Sequence, residues 1–229
     1  MIDVRLPSCC ALPHTPAVED TLRTIFVRSG RGEPASTSAI AEELNVSAPT
    51  VSMMLKRLTA GGLVERAGHL AELTEHGTAH ARDVVRRHRL LETFLERVLE
   101  VPWDEVHAEA DALEHTVSDR LLERIDRHLG HPDRDPHGDP IPRDGGPGEE
   151  WGVRLDAADD GARFAVERVY DRDSAALRYL ADLGIQPGVR LDVVRRQPFG
   201  GPLWVRVGGV EHALGDPLTH LVHGRVVAP

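Results

Sequence analysis

The stretch IAEELNVSAPTVSMMLKRL (residues 40–58) predicts two short helices joined by a tight turn. Ser47 is suited to cap the second helix, because its side-chain oxygen can accept a hydrogen bond from the first turn. Val51, Leu55 and Leu58 recur at i, i+4 and i+7 and mark one buried face of that helix. This pattern is typical of a helix-turn-helix.

The opposite face of the second helix carries side chains suited to DNA. A recognition helix in the major groove brings its N-terminal residues to base edges. Hydroxyls there donate or accept, apolar groups contact the thymine methyl, and Lys or Arg suits phosphates. The predicted DNA contacts are Ser47, Pro49, Thr50, Ser52, Met53, Lys56 and Arg57. The alternative is a helical corner that packs only within its own protein.

Further helices and a hairpin flank this unit. A helix is predicted over 17–30, and short apolar runs around Gly68 predict a hairpin over 63–74, which would be the wing. Thr74 is placed to cap a long helix that runs to about Leu99.

The second half of the chain changes character. One more helix is predicted over about 103–129, followed by a Pro- and Gly-rich connector at 131–150. Several short strands with Gly turns and one short helix then predict a small β-barrel. The strands are predicted at 164–171, 189–196, 202–207 and 220–227.

Composition limits the class of protein. The 229 residues carry a net charge of −10, so DNA binding would have to be local or helped by a bound cation. No apolar run of about 18 residues is present, so we expect no membrane span. The N-terminus does not read as a secretory signal. Cys9 and Cys10 make no disulfide framework and predict reduced thiols in a loose arm of a cytoplasmic protein, with a soft-metal pair as the alternative.

A polar stripe in VHAEADALEH (residues 106–115) indicates a metal site. His107, Asp111, Glu114 and His115 follow one another at helical spacings and share one side of the predicted helix. They border an apolar stripe made of Val106, Ala110, Leu113, Val117 and Leu121. Carboxylates without a partner would be costly there, and a divalent cation supplies the partner.

Two other helices add donors to this set. His88 and Glu92 form another i, i+4 pair, and Asp20 is an oxygen donor on the first helix. The alternative is a solvated charged face.

The order of these parts resembles the diphtheria toxin repressor family of metal-dependent transcriptional regulators, including its manganese-transport-regulator branch. The matching stretches are AEELNVSAPTVSMMLKRLTAGGLV, RRHRLLE, VHAEADALEHTVSD and PHGDPIP. The resemblance covers about 17–142, and LADLGIQPGVRLDVV resembles the SH3-like domain that some members carry.

The resemblance implies a fold that is mainly α with a small β domain. The expected parts are an N-terminal winged helix-turn-helix, a helical dimerisation and metal domain, and a C-terminal SH3-like β-barrel. The expected bounds are a flexible arm at 1–16, the DNA-binding domain at 17–80, the helical dimerisation and metal-binding domain at 81–142, a linker at 143–153 and the SH3-like, FeoA-type domain at 154–229.

The resemblance also implies two metal sites. The primary regulatory site would use Asp20, Asp111, Glu114 and His115. The second would use His88, Glu92, His107 and Asp173, the last from the C-terminal domain. Asp173 is alternatively the N-cap of the helix that begins near Ser174, and Ala176 stands at a further ligand position where it cannot coordinate. Arg89 matches a position near an anion in relatives, with a solvated arginine as the alternative.

The donor types favour manganese. Iron-responsive members place Met and Cys where this chain has Asp20 and Asp111, whereas manganese-responsive members use carboxylates there. Mn²⁺ suits oxygen ligands, and sulfur favours softer metals. We therefore predict Mn²⁺ as the cofactor, with Fe²⁺, Co²⁺ or Zn²⁺ as substitutes.

The implied function is a manganese-activated, DNA-binding transcriptional repressor that controls metal-ion uptake and homeostasis. It would bind a pseudo-palindromic double-stranded DNA operator as a homodimer. The near alternative is an iron-responsive regulator of the same fold. The distant ones are a metal-dependent enzyme and a helix-turn-helix protein with vestigial metal residues. Glu-x-x-His pairs on two helices, a nucleophile elbow and a phosphate loop are all lacking, so we expect no enzyme.

Overall fold

The structure is a computed structural model that describes residues 12–13, 15–143, 149 and 151–227. The chain divides into two compact units, one made of 1–88 with 142–149 and the other of 89–141 with 150–229. Most of the predicted arm, with Cys9 and Cys10, and residues 144–148 and 150 of the predicted linker lie outside the described residues.

Eight α-helices and eight strands lie in the described residues. The helices are α1 Pro16–Gly30, α2 Thr37–Glu43, α3 Ala48–Ala60, α4 Glu75–Leu99, α5 Val106–Leu113, α6 Asp119–His128, α7 Ser174–Asp182 and α8 Asp216–Thr219. The strands are β1 Val64–Ala67, β2 Leu70–Leu73, β3 Val153–Arg154, β4 Arg163–Val169, β5 Arg190–Arg196, β6 Leu203–Val207, β7 Val210–Leu214 and β8 Val222–Val227. Within this part of the chain, every helix is too short or too polar to cross a bilayer.

The first unit is the predicted winged helix-turn-helix. Ser47 caps α3, with its Oγ accepting from the backbone N–H of Thr50 at 3.3 Å, and the antiparallel pair β1–β2 forms the wing. Leu22 of α1, Leu55 of α3 and Leu63 before the wing are fully buried in one core. Burial of the apolar face of α3 therefore holds its other face outward.

α4 begins where Thr74 was expected to cap it. The Thr74 Oγ1 accepts from the backbone N–H of Gly77 at 2.9 Å and donates to the Gly62 carbonyl at 2.7 Å. A Cβ at Gly77 would overlap the Leu63 carbonyl, so the start of α4 lies directly against the turn before the wing.

The prediction of one helix over 103–129 is wrong. α5 ends at Leu113, and Ser118 caps a separate helix, α6, by accepting from the backbone N–H of Leu121 at 3.3 Å. The predicted apolar stripe breaks at the same place. Val106 and Ala110 are fully buried, but Leu113 is 38% exposed and Leu121 is 48% exposed.

The sheet of the second unit has the order β3-β8-β4-β5-β6-β7 with antiparallel pairing throughout. β3 and β7 are its edges, so in the described residues the sheet of the predicted SH3-like domain is open, and the word barrel fits it only loosely. The four predicted strands are present as β4, β5, β6 and β8. The core between this sheet and α7 includes Phe164, Leu177 and Leu180, all fully buried.

The first part of the predicted connector is a folded turn packed on the sheet. The Asp135 Oδ1 accepts from the backbone N–H groups of His137 and Asp139, each at 2.9 Å. The backbone N–H of Val169 in β4 donates to the His137 carbonyl at 2.9 Å, and Ile141 is fully buried. The turn therefore places its polar side chains against the helices and the sheet of the second unit.

Candidate metal centre and nucleic-acid interface

The DNA-facing surface of α3 has the predicted composition. The residues Ser47, Pro49, Thr50, Ser52, Met53, Lys56 and Arg57 are all exposed. Met53 is 66% exposed, so its apolar side chain is accessible for contact with a thymine methyl. The Ser47 and Thr50 hydroxyls lie 2.7 Å apart and share a hydrogen bond, so the helix start presents one linked hydroxyl pair.

A buried cluster in the second unit joins helices to the β domain. The His107 Nδ1 on α5 lies 3.1 Å from the Glu92 Oε1 on α4 and 3.0 Å from the Asp171 Oδ2 in the loop after β4. The three ligand atoms lie within 4.8 Å of one another, close enough to hold one metal ion. Glu92 and His107, two of the residues predicted for the second site, thus meet.

The charges of this cluster act on one another. Burial lowers the pKa of His107, but the charges and hydrogen bonds of Asp171 and Glu92 outweigh burial and raise that pKa well above its usual value. A positive charge is therefore favoured between the two carboxylates. A metal ion bound to the ring nitrogen would supply such a charge in place of the proton.

His137 completes a second triad around Glu92. Its Nε2 donates to the Trp103 carbonyl at 2.7 Å, since a carbonyl can only accept. Its Nδ1 is buried without a hydrogen-bond partner in the described part of the chain and lies 3.9 Å from Glu92 and 4.0 Å from Asp171. A histidine that donates one N–H to a backbone carbonyl and turns its other nitrogen toward carboxylates is arranged as metal-ligating histidines are. Glu92, Asp135 and His137 also lie within 4.8 Å of one another, so the side chains fit a divalent cation.

Arginines surround the acidic turn. Arg89 is buried, donates to the Pro140 carbonyl at 2.5 Å and lies 3.8 Å from Asp135. Arg168 of β4 lies 3.3 Å from Asp139. Burial and the neighbouring Asp139 and Glu92 charges nevertheless raise the pKa of Asp135 well above its usual value. Arg89 is therefore not the solvated arginine of the alternative interpretation. Its guanidinium lies beside carboxylates of the protein itself.

The residues predicted for the primary site lie in both units. Glu114 and His115 follow α5 in the turn before α6, with the Glu114 Oε1 3.4 Å from the His115 Nε2. Asp111 lies one turn earlier, 3.7 Å from the His107 Nε2. Asp20 is half-buried on α1 of the first unit, so its place in this set stays a prediction.

Comparison with known proteins gives matches along almost the whole chain. Residues 14–71 match the iron dependent repressor N-terminal DNA binding domain, and residues 74–143 match the iron dependent repressor metal binding and dimerisation domain. Residues 153–225 match the FeoA domain. The iron-dependent repressor IdeR of Mycobacterium tuberculosis is 38% identical over 217 residues, which are 88% of this chain and 93% of that protein.

The chain belongs to the diphtheria toxin repressor family of iron-dependent repressors. The diphtheria toxin repressor of Corynebacterium diphtheriae is 30% identical over 217 residues, again 88% of this chain and 93% of that protein. Among solved structures, a manganese-dependent transcriptional repressor in complex with manganese is 41% identical with a TM-score of 0.85, covering 92% of this chain and 100% of that one. The manganese regulator SloR is 33% identical with a TM-score of 0.78, covering 93% and 100%.

The family predicted from the sequence is therefore confirmed. The protein is a metal-dependent transcriptional repressor and not an enzyme. Its relatives include proteins named for iron and proteins named for manganese.

One residue predicted for the second site of this repressor lies outside the cluster. Asp173 is the N-cap of α7, where its Oδ1 accepts from the backbone N–H groups of Ala175 and Ala176 at 3.0 Å each. Asp171, two residues earlier, is the carboxylate beside His107. His88, on α4 one turn before Glu92, accepts a hydrogen bond on Nδ1 from Arg23 at 2.6 Å, so coordination through that nitrogen would require Arg23 to move.

Sequence reasoning missed three residues of the repressor's cluster: Asp135, His137 and Asp171. A signal for the first two was present in DPHGD (residues 135–139), which combines Asp and His with turn-forming Pro and Gly. Asp171 carried no comparable signal. It and Asp173 lie at or just beyond the end of the same predicted strand, 164–171, and the sequence does not show which of them faces the helices.

Proposed function

We propose that this repressor is activated by Mn²⁺ and controls genes for metal-ion uptake and homeostasis. The observation that carries the proposal is the donor set, since Glu92, Asp135 and Asp171 give oxygen and His107 and His137 give nitrogen. Mn²⁺ binds most ligand sets weakly but suits carboxylates and water.

The distribution of sulfur supports the same metal. The Cys and Met residues of the chain are Met1, Cys9, Cys10, Met53 and Met54. The stretch that matches the metal binding and dimerisation domain, 74–143, therefore contains no sulfur ligand. Softer metals, which thiolate and thioether ligands select, gain no advantage there.

An iron-responsive repressor is the second candidate. The relatives named iron-dependent repressor favour it, and nitrogen and oxygen donors also bind Fe²⁺. The two candidates share the fold and the DNA-binding surface, so a comparison of metals separates them.

The proposed repressor acts as a homodimer on a pseudo-palindromic operator in the cytoplasm. A two-fold dimer places two recognition helices about one DNA turn, ~34 Å, apart. The match to a dimerisation domain supports a dimer, as do apolar side chains left exposed on the helices of the second unit. These are Val98, Leu99, Leu113 and Leu121.

The proposed primary site joins Asp20 of α1 to Asp111, Glu114 and His115, as the family resemblance implies. A bound cation would supply the positive charge that holds these groups together. α1 packs in the core that carries α3, so fixing Asp20 would restrict the DNA-reading helix. Metal binding then favours the DNA-competent arrangement to the extent that this arrangement binds the metal more tightly.

DNA footprinting upstream of metal-transporter genes tests the proposal. The assay compares Mn²⁺, Fe²⁺ under anaerobic conditions and chelator, using wild type, Asp111→Ala and Glu109→Ala. Glu109 is an exposed acid on the same helix, so it controls for the loss of one negative charge. We expect protection with Mn²⁺ that is lost with chelator and in Asp111→Ala and is kept in Glu109→Ala.

The other outcomes decide against parts of the proposal. Equal or stronger protection with Fe²⁺ would favour the iron-responsive candidate. Protection that persists in chelator would show that metal does not switch DNA binding.

A further inference from the structure

Two histidines at the start of α4 form a pair outside the sites described so far. The His76 and His80 Nε2 atoms lie 2.9 Å apart, and the ring centroids are 4.7 Å apart with the ring planes inclined at 55°. Both side chains are half-buried in the DNA-binding unit, so solvent ions reach them. Neither residue belongs to the carboxylate cluster around Glu92 or to the primary set.

The backbone that carries this histidine pair is held rigidly. Thr74 caps the first turn of α4 by its contacts with Gly77 and Gly62, and Gly77 lies so close to the Leu63 carbonyl that no Cβ would fit. A ligand that needs both rings therefore meets them already aligned, which reduces the entropy lost on binding.

The spacing matches a chelate through both Nε2 atoms. Histidines at i, i+4 on a helix are an established pair of ligands for one metal ion. With metal–nitrogen bonds of about 2.0–2.1 Å, two nitrogens at 90° lie about 2.9 Å apart, whereas at the tetrahedral angle they lie about 3.4 Å apart. The observed separation of 2.9 Å corresponds to the right-angle arrangement, which tetragonal Cu²⁺ and Ni²⁺ sites use.

We propose that His76 and His80 form a third metal site, which takes a borderline transition-metal cation such as Ni²⁺ or Cu²⁺ in preference to Mn²⁺. The site offers imidazole nitrogen from the protein, with water to complete the coordination. In the divalent series Mn²⁺ binds such donors most weakly, and affinity rises through Ni²⁺ to Cu²⁺. The cluster around Glu92 instead offers three carboxylates, which suit Mn²⁺. The two sites would therefore select different metals by donor type.

A hydrogen bond between two neutral rings would produce a similar distance, because one imidazole N–H can donate to the other ring's nitrogen. The two interpretations differ in one measurable respect: a chelate contributes a metal equivalent that disappears when either ring is removed.

Equilibrium dialysis of the full-length protein against Ni²⁺ tests the proposal. The proteins compared are wild type, His76→Gln, His80→Gln and, as a matched control, His69→Gln in the wing, where the histidine is exposed. Nickel avoids the reduction that copper would undergo with the two cysteines. Since Ni²⁺ also enters oxygen and nitrogen sites elsewhere, the readout is the difference in bound equivalents between variant and wild type.

We expect His76→Gln and His80→Gln each to bind one Ni²⁺ equivalent fewer than wild type, and His69→Gln to match wild type. With Mn²⁺ in place of Ni²⁺, all four proteins should bind equal amounts. Thermal unfolding of each variant shows that it is folded. Equal Ni²⁺ binding by wild type and both folded variants would overturn the site and leave a hydrogen-bonded pair. Failure of the manganese switch would leave this result unaffected, because the pair lies outside the proposed regulatory sites.

Discussion

Two aspartates that are two residues apart have different roles, and single substitutions separate them. The Asp173 Oδ1 accepts two backbone hydrogen bonds at the start of α7, whereas the Asp171 Oδ2 lies 3.0 Å from the His107 Nδ1. We predict that Asp173→Ala lowers stability and leaves metal binding unchanged. Asp171→Asn should instead weaken Mn²⁺ binding, because it removes a charged oxygen from the cluster.

The magnitudes follow from these contacts. Replacing an N-cap aspartate with alanine costs about 1 kcal/mol, within a range of roughly 0.5–2 kcal/mol. For a chain of this size a loss of that order lowers the Tm by roughly 2–4 °C. Asparagine caps about as well as aspartate, so Asp173→Asn should keep most of the stability. Asp171→Asn should weaken Mn²⁺ binding by about tenfold or more, since even the partners of metal ligands contribute 10–100-fold.

The assay combines urea denaturation followed by circular dichroism with isothermal titration of Mn²⁺ into the full-length protein. Asp173→Asn is the decisive variant, because it retains the cap and removes the charge. If it weakens Mn²⁺ binding as much as Asp171→Asn does, Asp173 is a ligand as well. Unchanged Mn²⁺ binding in Asp171→Asn would show that the role given to Asp171 is wrong. Unchanged stability in Asp173→Ala would also refute the capping argument.

Four other substitutions test the fold and the DNA-binding surface. Leu55→Ala, in the buried face of α3, should lower the free energy of unfolding by about 2–5 kcal/mol in urea denaturation. Met53→Ala, on the exposed face, should change that free energy by no more than about 0.5 kcal/mol. It should, however, weaken DNA binding in a gel-shift assay. Gly77→Ala should lower the Tm, although alanine favours helices by about 1 kcal/mol, because its Cβ would overlap the Leu63 carbonyl. Ser118→Ala should cost about 1 kcal/mol, and a helix continuous through this position would show no such loss.

The DNA-binding unit was predictable because its signals are local. Ser47 before α3, the apolar spacing within it and Gly61 after it each act over less than two turns. They all favour the same helix, and the structure has it at Ala48–Ala60. Thr74 did the same for α4. When capping, periodicity and turn residues agree, tertiary contacts have little left to decide.

The break between α5 and α6 was not predictable in the same way. The sequence from Glu114 to Val117 has no Gly or Pro, and its apolar spacing continues through the break. Ser118 could have sat in a helix interior or capped a new helix, and local propensity distinguishes these weakly. The wrong prediction of one continuous helix also placed Leu113 and Leu121 in the core, whereas both are exposed.

The metal cluster was harder to predict from the sequence, because its members come from four separate segments. Glu92 and His107 were predicted, since each lies on a predicted helix among polar residues at helical spacing and the family resemblance placed both in one site. Asp171 was missed because it lies just after β4, where strand periodicity no longer shows which aspartate faces the helices. His137 was missed because Pro- and Gly-rich composition indicates a turn without indicating what the turn packs against. Periodicity identifies ligands on helices and strands, whereas ligands in turns and at strand ends depend on how those segments pack in the folded chain. The full set of ligands could therefore be identified only from the structure. Asp171→Asn tests the ligand at the strand end most directly.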